Sequence, residues 1–299
     1  MQQPGRPAAF SRAAVLVRGL RLGWIPSRLP PMNFRPFLLP LLFAAAALPA
    51  LAAPDLAAIV DGPQRSAANR ARDPARHPVE TLTFFGLAPN QTVIEIAPGA
   101  GWYTEILAPY LRDSGKLYAA HYPADDPRPE ARAARARFAD KLAATPAVYD
   151  RVVLGTLPVA AFTDIRPPGG ADLVLTFRNV HNWIEAGHLD TTLKAFFDVL
   201  KPGGVLGVEE HRAPPGTPLA KVISSGYVPE ALVIERARAA GFVFEGGSEV
   251  NANPKDTKDH PDGVWSLPPT LRGGNGPGSE RFTAIGESDR MTLRFRKPR

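Results

Sequence analysis

Two stretches of the chain are rich in side chains that can move protons or bind polar ligands. One runs Phe177-Arg178-Asn179-Val180-His181-Asn182-Trp183, and the other runs Glu209-Glu210-His211-Arg212. A histidine titrates near neutral pH and can act as a general base toward an oxygen or nitrogen nucleophile. We therefore take His181 and Asn179 as candidate catalytic residues. The candidate substrate contacts are Arg178, Asn182, Trp183 and His211.

Each of these residues also has a structural interpretation. His181 could be a hydrogen-bonded histidine that caps its loop, and Glu209 and Glu210 could form a salt-bridged strand end. A metal-dependent enzyme is a further alternative, because His121, His181 and His211 each follow a different predicted strand and could gather around a metal with one of these acids. No HExxH or similar spacing supports a metal site, so none is predicted.

A glycine-rich turn lies earlier in the chain, in the segment VIEIAPGAGWY at 93–103. Such a turn between a parallel strand and a helix lets a ligand lie against the backbone, where free N–H groups of the helix start point at it. A dinucleotide-binding fingerprint would need a glycine at Ala97 and another near Thr104. Both are missing, so the turn indicates a different ligand.

Alternating strands and helices position these stretches. Strands are predicted at 93–97, 116–120, 151–154, 172–177, 205–208, 242–245 and 291–295. Helices are predicted at 78–85, 102–111, 129–144, 188–200 and 229–240. Strands that alternate with helices of this length form right-handed crossovers. The sequence therefore predicts an α/β fold, with a Rossmann-like, seven-stranded, mostly parallel sheet and helices on both faces.

With these elements in place, segment 93–103 resembles motif I of the class I S-adenosylmethionine-dependent methyltransferases. Leu200-Lys201-Pro202-Gly203-Gly204 resembles the turn before their fifth strand, and 172–176 resembles their fourth strand. The resemblance covers about 77–296 and implies an antiparallel last strand beside the sixth. HPVETLTFFGL at 77–87 and VWSLPP at 264–269 are similar to segments of a group of exported bacterial proteins labelled predicted methyltransferases.

The resemblance implies S-adenosyl-L-methionine as cofactor and gives roles to the turn. Glu95 would orient the turn and reach the amino end of the methionine moiety. Tyr103, like Trp102, could offer an aromatic face to the sulfonium, although core packing is an equal alternative. The remaining turn residues would let the cofactor lie against the backbone. They are Ala97, Pro98, Gly99 and Gly101.

Two positions depart from the family pattern. His121 stands where the family places an acid that binds both ribose hydroxyls, and a neutral histidine accepts only one hydrogen bond. Asp125 or Asp126 could substitute from the following loop. Gly155-Thr156 stands where an acid usually meets the adenine amino group. His121 is nevertheless included among the candidate cofactor contacts.

Composition excludes several classes of function. The chain has no cysteine, which excludes disulfides, thiolate metal sites and a cysteine nucleophile. Its net charge of +6 belongs to residues 1–53, which hold six arginines and no acid. The rest of the chain carries equal numbers of basic and acidic residues, so no nucleic-acid partner is predicted. The expected partner is a small-molecule substrate, and the sequence does not indicate an oligomeric state.

The chain divides into a leader and one domain. Residues 1–31 form an unstructured upstream segment, and Met32 could be the true start. Residues 32–53 have the pattern of a secretory signal cleaved near Ala52 or Ala53, which predicts a periplasmic or exported protein. An inner-membrane anchor or a cytoplasmic protein is the alternative. No membrane contact is expected beyond this leader.

Residues 54–299 would form the methyltransferase-like domain. Within it, 54–90 is a helical cover and 251–286 is a long loop or lid that could bring Trp265 over the cleft. Arg72, Asp73, Arg76 and His77 in the cover could bind an anionic group; a surface helix with internal ion pairs is the alternative.

The predicted function is methyl transfer from S-adenosylmethionine to an unidentified small-molecule acceptor. The alternative is a non-catalytic, exported ligand-binding protein on the same fold. An open slot along 95–101 that ends at 179–181 favours the enzyme, whereas a slot filled by side chains favours the binding protein.

Overall fold

The computed structural model describes residues 54–157, 161–162, 164–272 and 278–299. The predicted upstream segment and secretory signal, at 1–31 and 32–53, lie outside these residues. None of the helices in the described ranges combines the length and apolar character needed to cross a bilayer.

A seven-stranded sheet forms the centre of the described domain, in the order β3-β2-β1-β4-β5-β7-β6. Strands β1 to β5 pair in parallel, and β7 lies antiparallel between β5 and β6. The predicted Rossmann-like sheet with its antiparallel last strand is therefore confirmed. The strands are β1 Thr92–Ile96, β2 Lys116–His121, β3 Val153–Thr156, β4 Ala171–Phe177, β5 Leu200–His211, β6 Val243–Ser248 and β7 Arg290–Arg296.

Helices cover both faces of the sheet. The predicted helices at 78–85 and 129–144 have these bounds in the structure, and the first ends at Gly86 in a left-handed conformation. A 3-10 helix spans Gly263–Ser266. The α-helices are α1 Leu56–Val60, α2 Ala67–Arg70, α3 Asp73–Arg76, α4 Pro78–Phe85, α5 Thr104–Leu111, α6 Pro129–Ala144, α7 Pro146–Tyr149, α8 Val180–Glu185, α9 Leu189–Val199, α10 Leu219–Ser225, α11 Glu230–Ala239 and α12 Glu280–Ile285.

The predicted bounds of the fifth strand are wrong. Strand β5 begins at Leu200 rather than at 205, so the Lys-Pro-Gly-Gly segment lies inside it. Pairing with β4 explains this, because Leu200 is the partner of Ala171 and the register then shifts so that Leu173 pairs with Val205. The C-terminal tail also contacts this segment, since Gly203 N–H donates to the Lys297 carbonyl and Lys297 N–H donates to the Gly204 carbonyl. An irregular register with a neighbouring strand therefore begins β5 early, and no local pattern in the Lys-Pro-Gly-Gly segment signals it.

Alternate residues of the central strands enter two separate hydrophobic layers. Ile94 and Ile96 of β1 join the layer under α8, α9 and α11, whereas Val93 joins the layer under α1, α4 and α5. Strands buried on both faces are expected in a parallel sheet covered by helices. Glu95 shares the side of Val93, so its carboxyl lies beneath α5.

Hydrogen bonds anchor the described part of segment 251–286, which the sequence analysis treats as a long loop or lid. The buried Asp256 carboxylate accepts from the Tyr227 hydroxyl, the Asp289 N–H and the His260 ring. Trp265 packs against His181, with ring centroids 6.1 Å apart. The segment therefore lies against the end of the sheet where the candidate residues cluster.

Candidate functional site

The glycine-rich turn after β1 takes left-handed backbone conformations. Ala97, Gly99 and Gly101 have φ of 48°, 59° and 84°, a region that favours glycine and is strained for alanine. A Cβ built on Gly99 would meet nothing within 4 Å, but one on Gly101 would lie 3.0 Å from the Phe138 ring. The turn is thus open at Gly99 and packed by α6 at Gly101. Pro98 accepts the Gly101 N–H at 2.9 Å and closes the turn.

Glu95 supports this turn from inside the protein. Its side chain is buried, and its Oε2 accepts a 2.6 Å hydrogen bond from the Thr104 hydroxyl at the start of α5. Burial raises the pKa of Glu95 to about 7, against the opposing effects of the Thr104 hydrogen bond and Lys141. Glu95 therefore joins the strand to the helix, and its predicted reach to a ligand amino group stays a prediction.

His121 braces the turn from the neighbouring strand. Its Nδ1 accepts the Tyr122 N–H at 2.8 Å, so the proton is on Nε2, which donates to the Gly99 carbonyl at 3.2 Å. Burial lowers the pKa of His121 and keeps the ring neutral. Both ring nitrogens of this candidate cofactor contact are thus bonded to backbone groups. Sequence reasoning missed this bracing role, which depends on how β2 lies beside the turn.

An open slot of about 220 Å³ lies at the carboxyl ends of β1 to β4. It adjoins the point where the chain order reverses between β1 and β4, which is where ligands bind in open α/β sheets. Four candidate residues line it: Ala97, Asn179, Asn182 and Trp183. The other lining residues are Tyr122, Pro123, Asp126, Arg128, Leu157, Ala186 and His188.

Polar groups from different elements line the slot. Asn179 donates to the Thr176 hydroxyl at 3.1 Å and to the Ile96 carbonyl at 3.3 Å, which joins the ends of β4 and β1. In the lining that follows β2, the Asp126 carboxylate accepts from the Arg128 guanidinium at 3.0 Å. These hydrogen bonds lower the pKa of Asp126 to about 2. An acid therefore lines the slot shortly after the second strand.

Two other candidates in this stretch take different positions. Trp183 is buried with only 3% of its surface exposed and packs edge-on against Phe196, so most of its ring belongs to the core. Asn182 is exposed at the slot. Asp125, the other acid considered for the ribose position, is also exposed but does not line the slot.

His181, Glu210 and His211 meet at the ends of α8 and β5. The His181 Nδ1 lies 3.0 Å from Glu210 Oε1, and the two imidazole centroids are 5.4 Å apart. Burial favours the neutral form of His181, but the Glu210 carboxylate outweighs this and raises the pKa of His181. Burial, reinforced by the charge of His181 and nearby arginines, lowers the pKa of His211. The pair thus combines one readily protonated ring with one neutral ring.

The three-histidine metal arrangement does not form in the structure. His121 is bonded to the glycine turn, while His181, Glu210 and His211 have potential ligand atoms within 4.8 Å of one another. The Glu210 carboxylate already accepts hydrogen bonds from the backbone N–H groups of His181 and His211, at 3.2 and 2.8 Å. The surrounding guanidinium groups also repel a divalent cation. The arrangement fits a hydrogen-bonded acid–base pair better than a metal centre.

A buried ion cluster lies beside this pair, on the α5 side of the sheet. Glu209 Oε1 is 3.0 Å from Arg178 Nη1 and 3.2 Å from Arg290 Nη1. The Tyr103 hydroxyl donates to Glu209 Oε2 at 3.1 Å, and its ring stacks on Phe177 with centroids 3.6 Å apart. Tyr103 therefore packs in the core, which is the alternative role considered for it.

The cluster continues through Glu287, whose importance the sequence did not reveal. Its carboxylate lies 2.7 Å from Arg72 Nε, 3.1 Å from Arg76 Nε and 2.9 Å from Arg290 Nη1. Burial would raise the pKa of Glu287, but these arginines outweigh it and lower that pKa to about 2. The basic stretch of the N-terminal cover is thus engaged in internal ion pairs, and Asp73 pairs likewise with Arg65 at 2.6 Å.

Comparisons with known proteins support the fold. No protein-family model matches the chain, and no curated protein matches it. The solved [4+2]-cyclase SpnF aligns with a TM-score of 0.56 and 18% identity over 80% of this chain and 86% of its own. This likeness shows the Rossmann-like fold and leaves the reaction open.

Two further solved structures that match are methyltransferases. One is a SAM-dependent methyltransferase from Aquifex aeolicus, with a TM-score of 0.48 and 21% identity over 66% of this chain and 94% of its own. The other is the glycopeptide N-methyltransferase MtfA complexed with S-adenosyl-L-homocysteine, with a TM-score of 0.47 and 15% identity over 75% of this chain and 90% of its own.

Proposed function

We propose that this protein transfers a methyl group from S-adenosylmethionine to a small-molecule acceptor. The observation that carries the proposal is the open slot beside the glycine turn, lined by Ala97 on β1 and by Asn179 after β4. The non-catalytic alternative expects this slot to be filled by side chains. Because SpnF is a cyclase on the same fold, the proposal rests on the site rather than on the fold.

The residues around the slot fit a nucleoside joined to an amino acid. Left-handed Ala97 and Gly99 bring backbone to the surface, and the space beyond Gly99 leaves room for a ligand against the turn. Asp126 supplies a carboxylate on the wall next to β2, where two ribose hydroxyls would find an acceptor. When bound, S-adenosylmethionine supplies an activated methyl group on a sulfonium.

The chain's own contribution would be to position the acceptor and to take its proton. Methyl transfer is an in-line displacement, so holding the acceptor in line supplies much of the rate enhancement. Glu210 accepts the proton of His181 Nδ1, which leaves Nε2 as the basic atom of the neutral ring. His181 Nε2 is accordingly the proposed proton acceptor, and Glu210 positions it. His181 does not itself line the slot, so the methyl acceptor would extend from the slot past Asn179 toward this ring.

Calorimetric titration of the full chain with S-adenosylmethionine and S-adenosylhomocysteine tests this proposal. We expect saturable binding of both ligands, and loss of binding in Ala186→Trp, which places an indole at the exposed edge of the slot. Ala143→Trp is the matched control, because Ala143 is exposed on α6 and does not line the slot. Folded protein that binds neither ligand would overturn the proposal, as would equal binding by Ala186→Trp.

A further inference from the structure

A second cavity lies away from the slot, between α3, the segment after β6 and the start of β7. It has a volume of about 230 Å³ and shares no lining residue with the slot. Its polar lining includes Arg290, Lys255 and His77, together with Asn251, Ser288 and Glu287. Nothing in the proposed methyl transfer uses this cavity.

Three residues of its lining have buried polar atoms without a hydrogen-bond partner among the described residues. They are Arg290 Nε, His77 Nδ1 and Asn251 Oδ1. Arg290 and Asn251 are only 1% and 2% exposed, so bulk water does not satisfy these atoms. Buried polar groups in native proteins almost always have partners. Three such atoms around one cavity indicate a polar occupant.

The charges around the cavity specify the sign of that occupant. Arg290 and Glu287 belong to the ion cluster, which in the described part of the chain joins four guanidiniums to two carboxylates. Four cations against two anions leave this cluster with an excess of positive charge. Burial, with a smaller effect of Arg178, lowers the pKa of Arg76 in the cluster to about 9. Lys255 adds a further cation at the cavity. An anion would offset this excess.

We propose that this cavity binds a small hydroxycarboxylate, with its carboxylate toward Arg290 and Lys255 and its hydroxyl toward Asn251. A guanidinium and an ammonium group both donate to carboxylate oxygens. The Asn251 amide donates to the Thr81 and Thr292 hydroxyls at 2.9 and 3.0 Å, which orients its carbonyl oxygen as an acceptor. This oxygen matches the hydroxyl donor of the ligand. The proposal does not depend on methyl transfer.

Thermal unfolding of the full chain at constant ionic strength tests the proposal, with glycolate, acetate, glycolamide and inorganic phosphate as probes. A ligand that binds only the folded state raises the Tm in a concentration-dependent way. Glycolate should raise the Tm most, acetate less because it lacks the hydroxyl, and the uncharged glycolamide not at all. Lys255→Gln should weaken the apparent affinity for glycolate by about tenfold.

Two further variants make the result specific to the cavity. Ala252→Leu fills the cavity without changing charge and should abolish the glycolate effect, whereas Lys221→Gln removes an exposed lysine elsewhere and should leave it unchanged. A phosphate effect larger than that of glycolate would overturn the hydroxycarboxylate assignment. A Tm that no probe changes would indicate that water occupies the cavity, and a glycolate effect that persists in Ala252→Leu would show that glycolate binds elsewhere. Either result would overturn the proposal.

Discussion

Glu95 and Glu209 are both fully buried carboxylates on the same face of the sheet, and their surroundings shift their pKa values in opposite directions. Glu95 bonds to a hydroxyl, and burial raises its pKa to about 7. Burial acts on Glu209 in the same way, but Arg290 and Arg178 outweigh it and lower the pKa of Glu209. Equal burial therefore produces a near-neutral support at one strand end and an ionised cluster at another.

The difference separates two regions of one sheet edge. The turn at the ends of β1 and β2 is held by backbone and neutral side chains, as when His121 holds the Gly99 carbonyl, and the Asp126–Arg128 pair on the slot wall is the charged element of this region. The region at β4, β5 and β7 is built from paired charges. A ligand that lies against backbone fits the first region, whereas protons and anionic groups fit the second.

The largest expected effect comes from breaking the charged region at Glu287. Glu287→Gln leaves three arginines without their shared carboxylate and should lower the free energy of unfolding by about 3–5 kcal/mol. Urea denaturation measures this loss. Asp150→Asn, which removes the half-exposed partner of Arg112, is the control and should cost less than about 1 kcal/mol. Similar losses in the two variants would contradict the distinction between the regions.

The same carboxylate should make the free energy of unfolding depend on pH in the acid range. The pKa of Glu287 is about 2 in the folded protein, against an ordinary value of 4.5, so its stabilisation is present above pH 4.5 and is lost as the pH falls toward 2. Wild-type protein should therefore lose more stability across this range than Glu287→Gln. Parallel losses, measured by urea denaturation at each pH, would show that Glu287 does not carry the effect.

A second pair of variants separates ligand binding from folding in the neutral region. Both Gly99→Val and Gly101→Val strain a left-handed residue by about 1–2 kcal/mol. Only the Gly101 variant also presses on Phe138, so it should be the less stable of the two. Gly99→Val projects into the space beyond the turn and should abolish S-adenosylmethionine binding while the protein stays folded. Urea denaturation and calorimetry measure the two effects, and unimpaired binding by Gly99→Val would contradict this account.

Asp126 provides a smaller and more local test. Among the described residues that line the slot, Asp126 is the only one with a carboxylate. Asp126→Asn should therefore weaken S-adenosylmethionine binding by about tenfold, or about 1.4 kcal/mol. Asp125→Asn changes the neighbouring exposed acid, which does not line the slot, and should bind as wild type does. Calorimetry distinguishes them, and equal affinities would remove Asp126 from the proposed ribose site.

The smallest effect is expected at Glu95. Because the pKa of Glu95 is about 7 in the folded protein, an amide resembles its protonated form, and Glu95→Gln should change the free energy of unfolding by less than about 1 kcal/mol near pH 4, where the carboxyl is protonated in both states. The carboxyl ionises near pH 4.5 in the unfolded chain but only near pH 7 in the folded protein, so wild-type protein loses stability as the pH rises from 4.5 to 7. The stability of Glu95→Gln relative to wild type should therefore rise across this range. A loss as large as that of Glu287→Gln would remove the contrast between the two buried acids.

The neutral region was largely predictable from sequence because its signals are local. The glycine turn, the strand before it and the bounds of α6 all follow from short patterns. The roles within it were less predictable: whether His121 faces a ligand or the turn depends on how two strands lie side by side, which composition does not encode.

The charged region shows why the rest could not be predicted. The sequence points to Arg178, His181 and Glu209 near one strand end, but Arg76 meets Glu287 across 211 residues. Any of many acids could pair with that arginine until the fold selects one. The same reason hides the early start of β5, which depends on its irregular pairing with Ala171 of β4.

A crystal structure of the full chain with S-adenosylhomocysteine tests the central claim most directly. We expect the ligand to lie in the slot, with its amino-acid end against Ala97–Gly101 and its ribose beside Asp126. The adenosine should make no contact with the charged cluster. If crystals grown at saturating S-adenosylhomocysteine show no ligand in the slot, or show the ligand bound elsewhere, the proposed methyl-transfer site is contradicted.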